Sequence, residues 1–362
     1  MNEKIYSSTK IIANNIFSSY EKITEYCSKK IDPLLFNLVR NNSFNASSCY
    51  EDKECRISID KTAIDVLYFY FSQVTDEYFK KINEKFTSNL EDPYNFSFES
   101  IIFQKNGTVL RSDSKNEKQN LTESLIYFSI QFMIAHELGH IFNGHCEYKK
   151  SLSFNQNSQF QIIEPEETNK KSNGLSPLDQ RTLEYDADAF ATTDNFRFLL
   201  QEVISNPSQL GIIYWWSFAI TSLFLKIGSI QMATSSPTQD MRYLTSSMRW
   251  RTIYEIVETI IHTKDYNIKY KDDEFIKRVE KLLFSGSLDA EKYFKEINFE
   301  SNVSYISDAI NNKYDNNYFT EIQNNWNNLY KKLQPYAHLP LFNRMHIYHY
   351  LKIRINKTFM ER

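Results

Sequence analysis

The sequence predicts a mainly α chain, α+β in class, with a small β edge and a helical C-terminal extension. Three observations predict it. Gly and Pro are scarce, 7 and 8 in 362 residues, so few turns are forced and helices can run long. Strand-like alternation is confined to short runs before residue 114. Ser176-Pro177 and Ser236-Pro237 each read as a helix start, with Ser as the cap and Pro in the first turn. The expected organisation is an N-terminal helical segment (1–50), a central domain (51–262) and the helical extension (263–362).

Residues 1–50 read as one or two helices followed by an Asn/Ser-rich connection. RISID (Arg56–Asp60) alternates and reads as a strand. Asp60 can then cap a long helix that opens at Lys61. Two β-like runs flank Asn106-Gly107, a good hairpin signal. From about Asn120 to Cys146 the chain is helical and apolar nearly all round, which suits the centre of a domain. Lys149 to Leu175 is polar and without period, the mark of a functional loop or a disordered insert. Ser176 then opens a helix carrying RTLEYDADAFATT, and Asp179 completes a capping box. The uncharged run Leu210–Leu225 falls short of the roughly 20 residues a bilayer span needs, so it reads as a buried core helix.

Composition narrows the classes. Apolar residues make up 41% and charged residues 24%, ordinary for a globular chain. The net charge is −3 and no long basic block occurs, so no nucleic-acid partner is expected. Cys27, Cys49, Cys55 and Cys146 show neither zinc-knuckle spacing nor a disulfide framework, which fits a reducing, cytoplasmic setting. The start, MNEKIYSSTK, has no apolar core region, so no signal peptide is expected, and a membrane is not an expected partner.

The chemistry concentrates in AHELGHIFNGHCEY. His136 and His140 are four apart, so a helix stacks them on one face as half of a tetrahedral zinc site. Glu137 lies about 100° round the helix, within reach of a water beside the metal, and can act as general base. This is the H-E-x-x-H arrangement of metalloproteases. On a continuous helix His145 would point away; Gly144 can end the helix, and His145 then belongs to the wall of the site or to the surface. The metzincin pattern fails, because Asn143 and Cys146 stand where it needs Gly and His. A catalytic zinc needs a third protein ligand and one open position. LEYDADAFA offers Glu184 as that ligand. Asp188, one turn on, can accept the ring N–H of a ligand His. Asp186 is rotated away and is the weaker candidate.

HELGHIFNGH followed by EYDADAFA resembles the gluzincin metallopeptidases, nearest to the HtpX-like and CAAX-prenyl-protease-like group and the soluble, Lit-type phage-exclusion peptidases. The resemblance implies a zincin-like core and one zinc ion on His136, His140 and Glu184. It implies Glu137 as base and Asp188 behind the ligands. Asn45-Ala46 and Ile57–Ile59 resemble the family's segment and edge strand that pair with an extended substrate. Arg242, spaced after Ser236-Pro237, and His338, spaced before Arg344, are the candidates for the family's downstream His-Pro…Arg element. The implied activity is hydrolysis of peptide bonds in a protein or peptide substrate, and the likeness to phage-exclusion peptidases implies a regulated or phage-defence protease. The rival readings are a non-catalytic binding module on the same scaffold and a membrane-embedded protease. The intact Glu137 argues against the first.

Overall fold

The computed structural model describes residues 2–86, 103–105, 108–110, 117–152, 159–161, 174–234, 245–262, 273–298, 306 and 316–341. Mostly helical, it carries a small four-stranded sheet. Helix α1 (Asn2–Thr24) comes first and packs on the central helix α3 (Glu117–Phe142). Tyr20 of α1 tilts against Phe142, with ring centroids 5.0 Å apart.

Strands β1 (Leu34–Val39), β2 (Ala46–Glu51) and β3 (Glu54–Asp60) follow. β3 is central: it runs parallel to β1 and antiparallel to β2. The turn between β2 and β3 is Asp52-Lys53, both at positive φ, as a two-residue hairpin turn of the primed type requires. The expected Asn/Ser-rich connection before residue 50 is therefore two strands. Nothing in LLFNLV alternates cleanly, ASSCYE is small and polar, and Asp-Lys is a rare choice for such a turn. The expected edge at Ile57–Ile59 is corrected as well. Those residues lie in β3, which has a neighbour on each side; the edge strands of the sheet are β1 and a two-residue strand, Phe160–Gln161, which lies on β2.

Asp60 caps α2 (Lys61–Phe86) by accepting from the Thr62 N–H at 2.9 Å. Burial opposes its charge, but N–H groups of Thr62, Ser43 and Asn41 hold its carboxyl below the usual range. β4 (Phe103–Lys105) and β5 (Thr108–Leu110) pair antiparallel as the hairpin signal requires; Asn106-Gly107 lie outside the described residues.

α3 ends at Phe142, four residues before the expected boundary. Gly144 sits at φ 78° in the turn that follows. A Cβ there would lie 2.5 Å from the Tyr336 carbonyl carbon, so only Gly fits both the backbone angle and the space. The chain restarts in a new direction as α4 (His145–Leu152). β6 (Phe160–Gln161) then pairs antiparallel with β2 through Ser47 and Ser48, and the remainder of the polar run expected as a loop or insert, 153–158 and 162–173, lies outside the described residues.

Ser176 caps α5 (Pro177–Ser205) with a complete capping box to Asp179. After a 3-10 turn come α6 (Ile212–Thr234), α7 (Ser246–His262), α8 (Asp273–Asn298) and α9 (Asn316–Leu333). One apolar cluster runs from Ile5 to Leu341 and draws on all three expected segments, 1–50, 51–262 and 263–362. Among the described residues, α3 and Pro207–Ile230 are long and apolar enough to cross a membrane by composition. Their apolar windows are 100% and 89% buried by packing.

Candidate metal centre

α3 and α5 meet at Gly139. A Cβ on it would lie 3.2 Å from the Ala187 Cα and 3.1 Å from the Phe190 Cβ, so the missing side chain lets the two helices close up. Gly139 sits between the two histidines in sequence, and Ala187 sits between Glu184 and Asp188. The close approach therefore carries the carboxylates of α5 to the imidazoles of α3.

The donor atoms form a tight triangle. His136 Nε2 and His140 Nε2 are 3.2 Å apart. Glu184 Oε2 lies 3.3 Å from the first and Glu184 Oε1 lies 3.5 Å from the second. All three residues are buried, and their donor atoms could hold one ion. Tetrahedral zinc with ligands about 2.0–2.1 Å away spaces them by roughly 3.3–3.4 Å. The edge between the imidazoles is close to that spacing, and each imidazole nitrogen has a different Glu184 oxygen at a similar distance.

Each imidazole is turned so that Nε2 faces the triangle. His136 donates from Nδ1 to Asp188 Oδ1 at 2.8 Å. Asp188 is gripped from behind by Arg249 of α7, whose Nε and Nη2 donate to its two oxygens at 2.8 and 2.7 Å. The His140 Nδ1 meets His145 Nδ1 at 3.0 Å, and His145 Nε2 lies 3.3 Å from Asp186 Oδ2. Asn143 donates to that same oxygen at 2.6 Å. A metal on Nε2 leaves the His140 proton on Nδ1, so it donates to His145, whose own proton then faces Asp186. The two imidazoles thus reach carboxylates by different routes, His136 by a direct hydrogen bond and His140 through a third imidazole that lies close to Asp186.

Charge also fits a divalent ion. Three buried carboxyl groups, Glu137, Glu184 and Asp188, surround the imidazoles, with the guanidinium of Arg249 buried beside them. Without a metal the proton on His136 supplies a second positive charge; a divalent ion that displaces this proton takes its place among the buried carboxylates. Lys149 and Asp186, one of each sign, lie further out and are buried too. Burial, helped by the positive charge around it, holds the His140 imidazole well below its ordinary pKa, keeping it in the neutral form a metal takes. For His136, burial opposes a proton, but Asp188 and Glu184 outweigh it and raise the pKa to about 9; a metal would displace that proton.

Glu137 stands beside the triangle. It accepts from the Ser48 hydroxyl of β2 at 2.7 Å through Oε2. Its Oε1 is buried with no hydrogen-bond partner among the described residues. Burial pushes its carboxyl up to about 7.

Other expected site residues fall elsewhere. Arg242 lies outside the described residues. His338 is buried, with its ring nitrogens facing Glu147 Oε1 at 2.9 Å and the Lys30 carbonyl at 3.3 Å. Its backbone N–H donates to the Phe142 carbonyl at 2.9 Å, capping the end of α3. Arg249 had a readable sequence signal. It falls on the apolar stripe of its own helix, with Ile253, Ile256 and Ile260, where an Arg needs a buried partner. For His145 the signal was coarse: Gly144 as a helix end places it in the wall of the site, but nothing in the sequence pairs it with His140.

No known sequence family matches the chain, nor does any curated protein or any solved structure.

Proposed function

We propose that this chain is a zinc-dependent peptidase with a zincin-like core, holding one ion on His136, His140 and Glu184. The observation that carries the reading is the buried group of His136, His140 and Glu184, with separations of 3.2, 3.3 and 3.5 Å and with the far nitrogen of each imidazole held from behind. A bound zinc ion supplies Lewis acidity toward a peptide carbonyl and acidifies a water. Glu137 takes the proton of the attacking water on its unpartnered oxygen and returns it to the leaving amine. Ser48 holds the other carboxylate oxygen and fixes the side chain. Asp188 and Arg249 set the orientation of His136, and His145 with Asp186 that of His140. The class of substrate is a protein or peptide, and the resemblance to phage-exclusion peptidases favours a regulated enzyme.

One observation favours the second reading, a non-catalytic module on the same scaffold: His136, Glu137, His140 and Glu184 are all buried, as in a closed structural site. Three proteins separate the readings. Metal content by plasma mass spectrometry and cleavage of β-casein are measured on the wild type, Glu137→Gln and Glu184→Ala. The peptidase reading expects about one zinc per chain in the wild type and in Glu137→Gln, and none in Glu184→Ala. It expects cleavage by the wild type alone, however slow. Equal cleavage by Glu137→Gln would remove the base from the mechanism, and full zinc in Glu184→Ala would remove the third ligand.

A further inference from the structure

A substrate must reach this site, yet all of its polar groups are covered. Part of the cover is a strand two residues long. β6 lies along the outer edge of β2, the strand that supplies Ser48 to Glu137. Antiparallel pairing sets Gln161 opposite Ser47 and Phe160 opposite Ser48. Phe160 stacks on the ligand His140, with centroids 4.2 Å apart and planes 16° from parallel, and its ring lies 6.2 Å from that of His145.

Side chains hold this short strand at every residue. Gln159 donates to the Ser47 hydroxyl at 2.6 Å, and Asn45 donates to the Gln161 side-chain oxygen at 3.2 Å. The buried Lys149 donates to the Gln159 carbonyl at 2.7 Å and sits 4.4 Å from the centre of the Phe160 ring. Two residues of sheet are worth little by themselves. What keeps β6 in place is this set of side-chain contacts converging on Phe160 and its neighbours.

Resting on the peptidase reading, we propose that β6 is a resident occupant of the substrate track. It lies where an extended substrate would add to the edge of β2, and Phe160 fills the subsite beside His140. The substrate class that follows is an extended segment carrying an aromatic side chain. Such a segment displaces β6 by taking over its ladder and its stack. The enzyme is therefore slow at rest and is opened by competition for one edge. If β6 were instead a fixed part of the scaffold, loosening it would lower activity; here loosening raises it.

The test uses full-length, zinc-loaded protein and the variants Phe160→Ala and Lys149→Met. Lys149→Met keeps the apolar bulk, so it reports even where Phe160→Ala folds poorly. Three rates are read: zinc loss to dipicolinate, amide exchange over Ala46–Glu51, and cleavage of β-casein. Losing one aromatic stack or one clamp is expected to raise all three by about tenfold. A synthetic peptide of residues 157–163 (NSQFQII), added in trans, should bring the rates of Phe160→Ala back down. The same peptide with Ala in place of Phe should not. Unchanged or lower rates in folded variants that hold one zinc would overturn the proposal, and so would a peptide effect indifferent to the Phe. The exchange rates and the peptide competition need neither metal nor hydrolysis. If no variant binds zinc or cuts casein, the peptidase reading fails while those two measurements still decide whether β6 is displaceable.

Discussion

Two groups of donors lie within metal-binding reach among the described residues, and they differ in everything except reach. One is His136, His140 and Glu184; the other is Glu258, His262 and Glu280 on α7 and α8. The first is buried, and Asp188–Arg249 and His145–Asp186 stand behind its imidazoles. The second faces solvent, and its His262 is 52% exposed while pairing with Glu280 at 3.1 Å. Water competes for every donor of the second group, and no buried charge there calls for a cation. In the first group a metal would take the place of the His136 proton among buried carboxylates. Proximity of donors is cheap for a folded chain; orientation of their remaining atoms, and buried carboxyl groups around them, are what mark a site.

The largest expected effect comes from removing the grip on Asp188. Arg249→Met leaves that carboxylate buried against His136 without its cation. Breaking such a pair costs about 3–5 kcal/mol, read as a shift of the urea unfolding midpoint of the metal-free protein. Zinc affinity should fall between about tenfold and a hundredfold. A loss below about 1 kcal/mol would mean that the guanidinium is not what holds α7 against α5, and the buried group would lose its main contrast with the exposed one.

The next effect is smaller and sharpens the comparison within the buried group. His145→Ala removes the partner of His140 but leaves all three ligands. Zinc affinity, measured by competition with a fluorescent indicator, should fall about tenfold, the low end for a supporting residue. Complete loss of metal would make His145 a ligand itself. No change would leave the stack of Phe160 as what orients His140.

Legibility in the sequence follows the range of the interactions. His136 with His140, and Glu184 with Asp188, are i to i+4 pairs, so a helical period alone puts each on one face. The capping box at Ser176 and the hairpin around Asn106-Gly107 are equally local. What brings the two helices together is Gly139 against Ala187, visible in sequence only as a small residue between the histidines. His145 was legible in part: counted along an unbroken helix it faces away, Gly144 marks a helix end, and the left-handed turn there brings it back to His140. Arg249 was legible as a charge on an apolar stripe, although the spacing after Ser236-Pro237 drew attention to Arg242. β1, β2 and β6 were not legible, because a strand of two residues, or one of Ala, Ser and Cys, acquires its identity from its neighbours.

The smallest effect belongs to the exposed group, and it is the one that could undo the comparison. Glu280→Ala removes a donor from that trio and the partner of His262. A surface pair of this kind contributes little, so unfolding free energy should move by no more than about 0.5 kcal/mol. Zinc content after gel filtration should stay at about one per chain, because the bound ion resides in the other group. If the wild type instead retains two zinc ions and Glu280→Ala retains one, an exposed trio without supporting residues suffices to hold metal. Burial and orientation would then no longer distinguish the centre on α3 and α5 from a chance meeting of donors, and its claim to catalysis would rest on Glu137 alone.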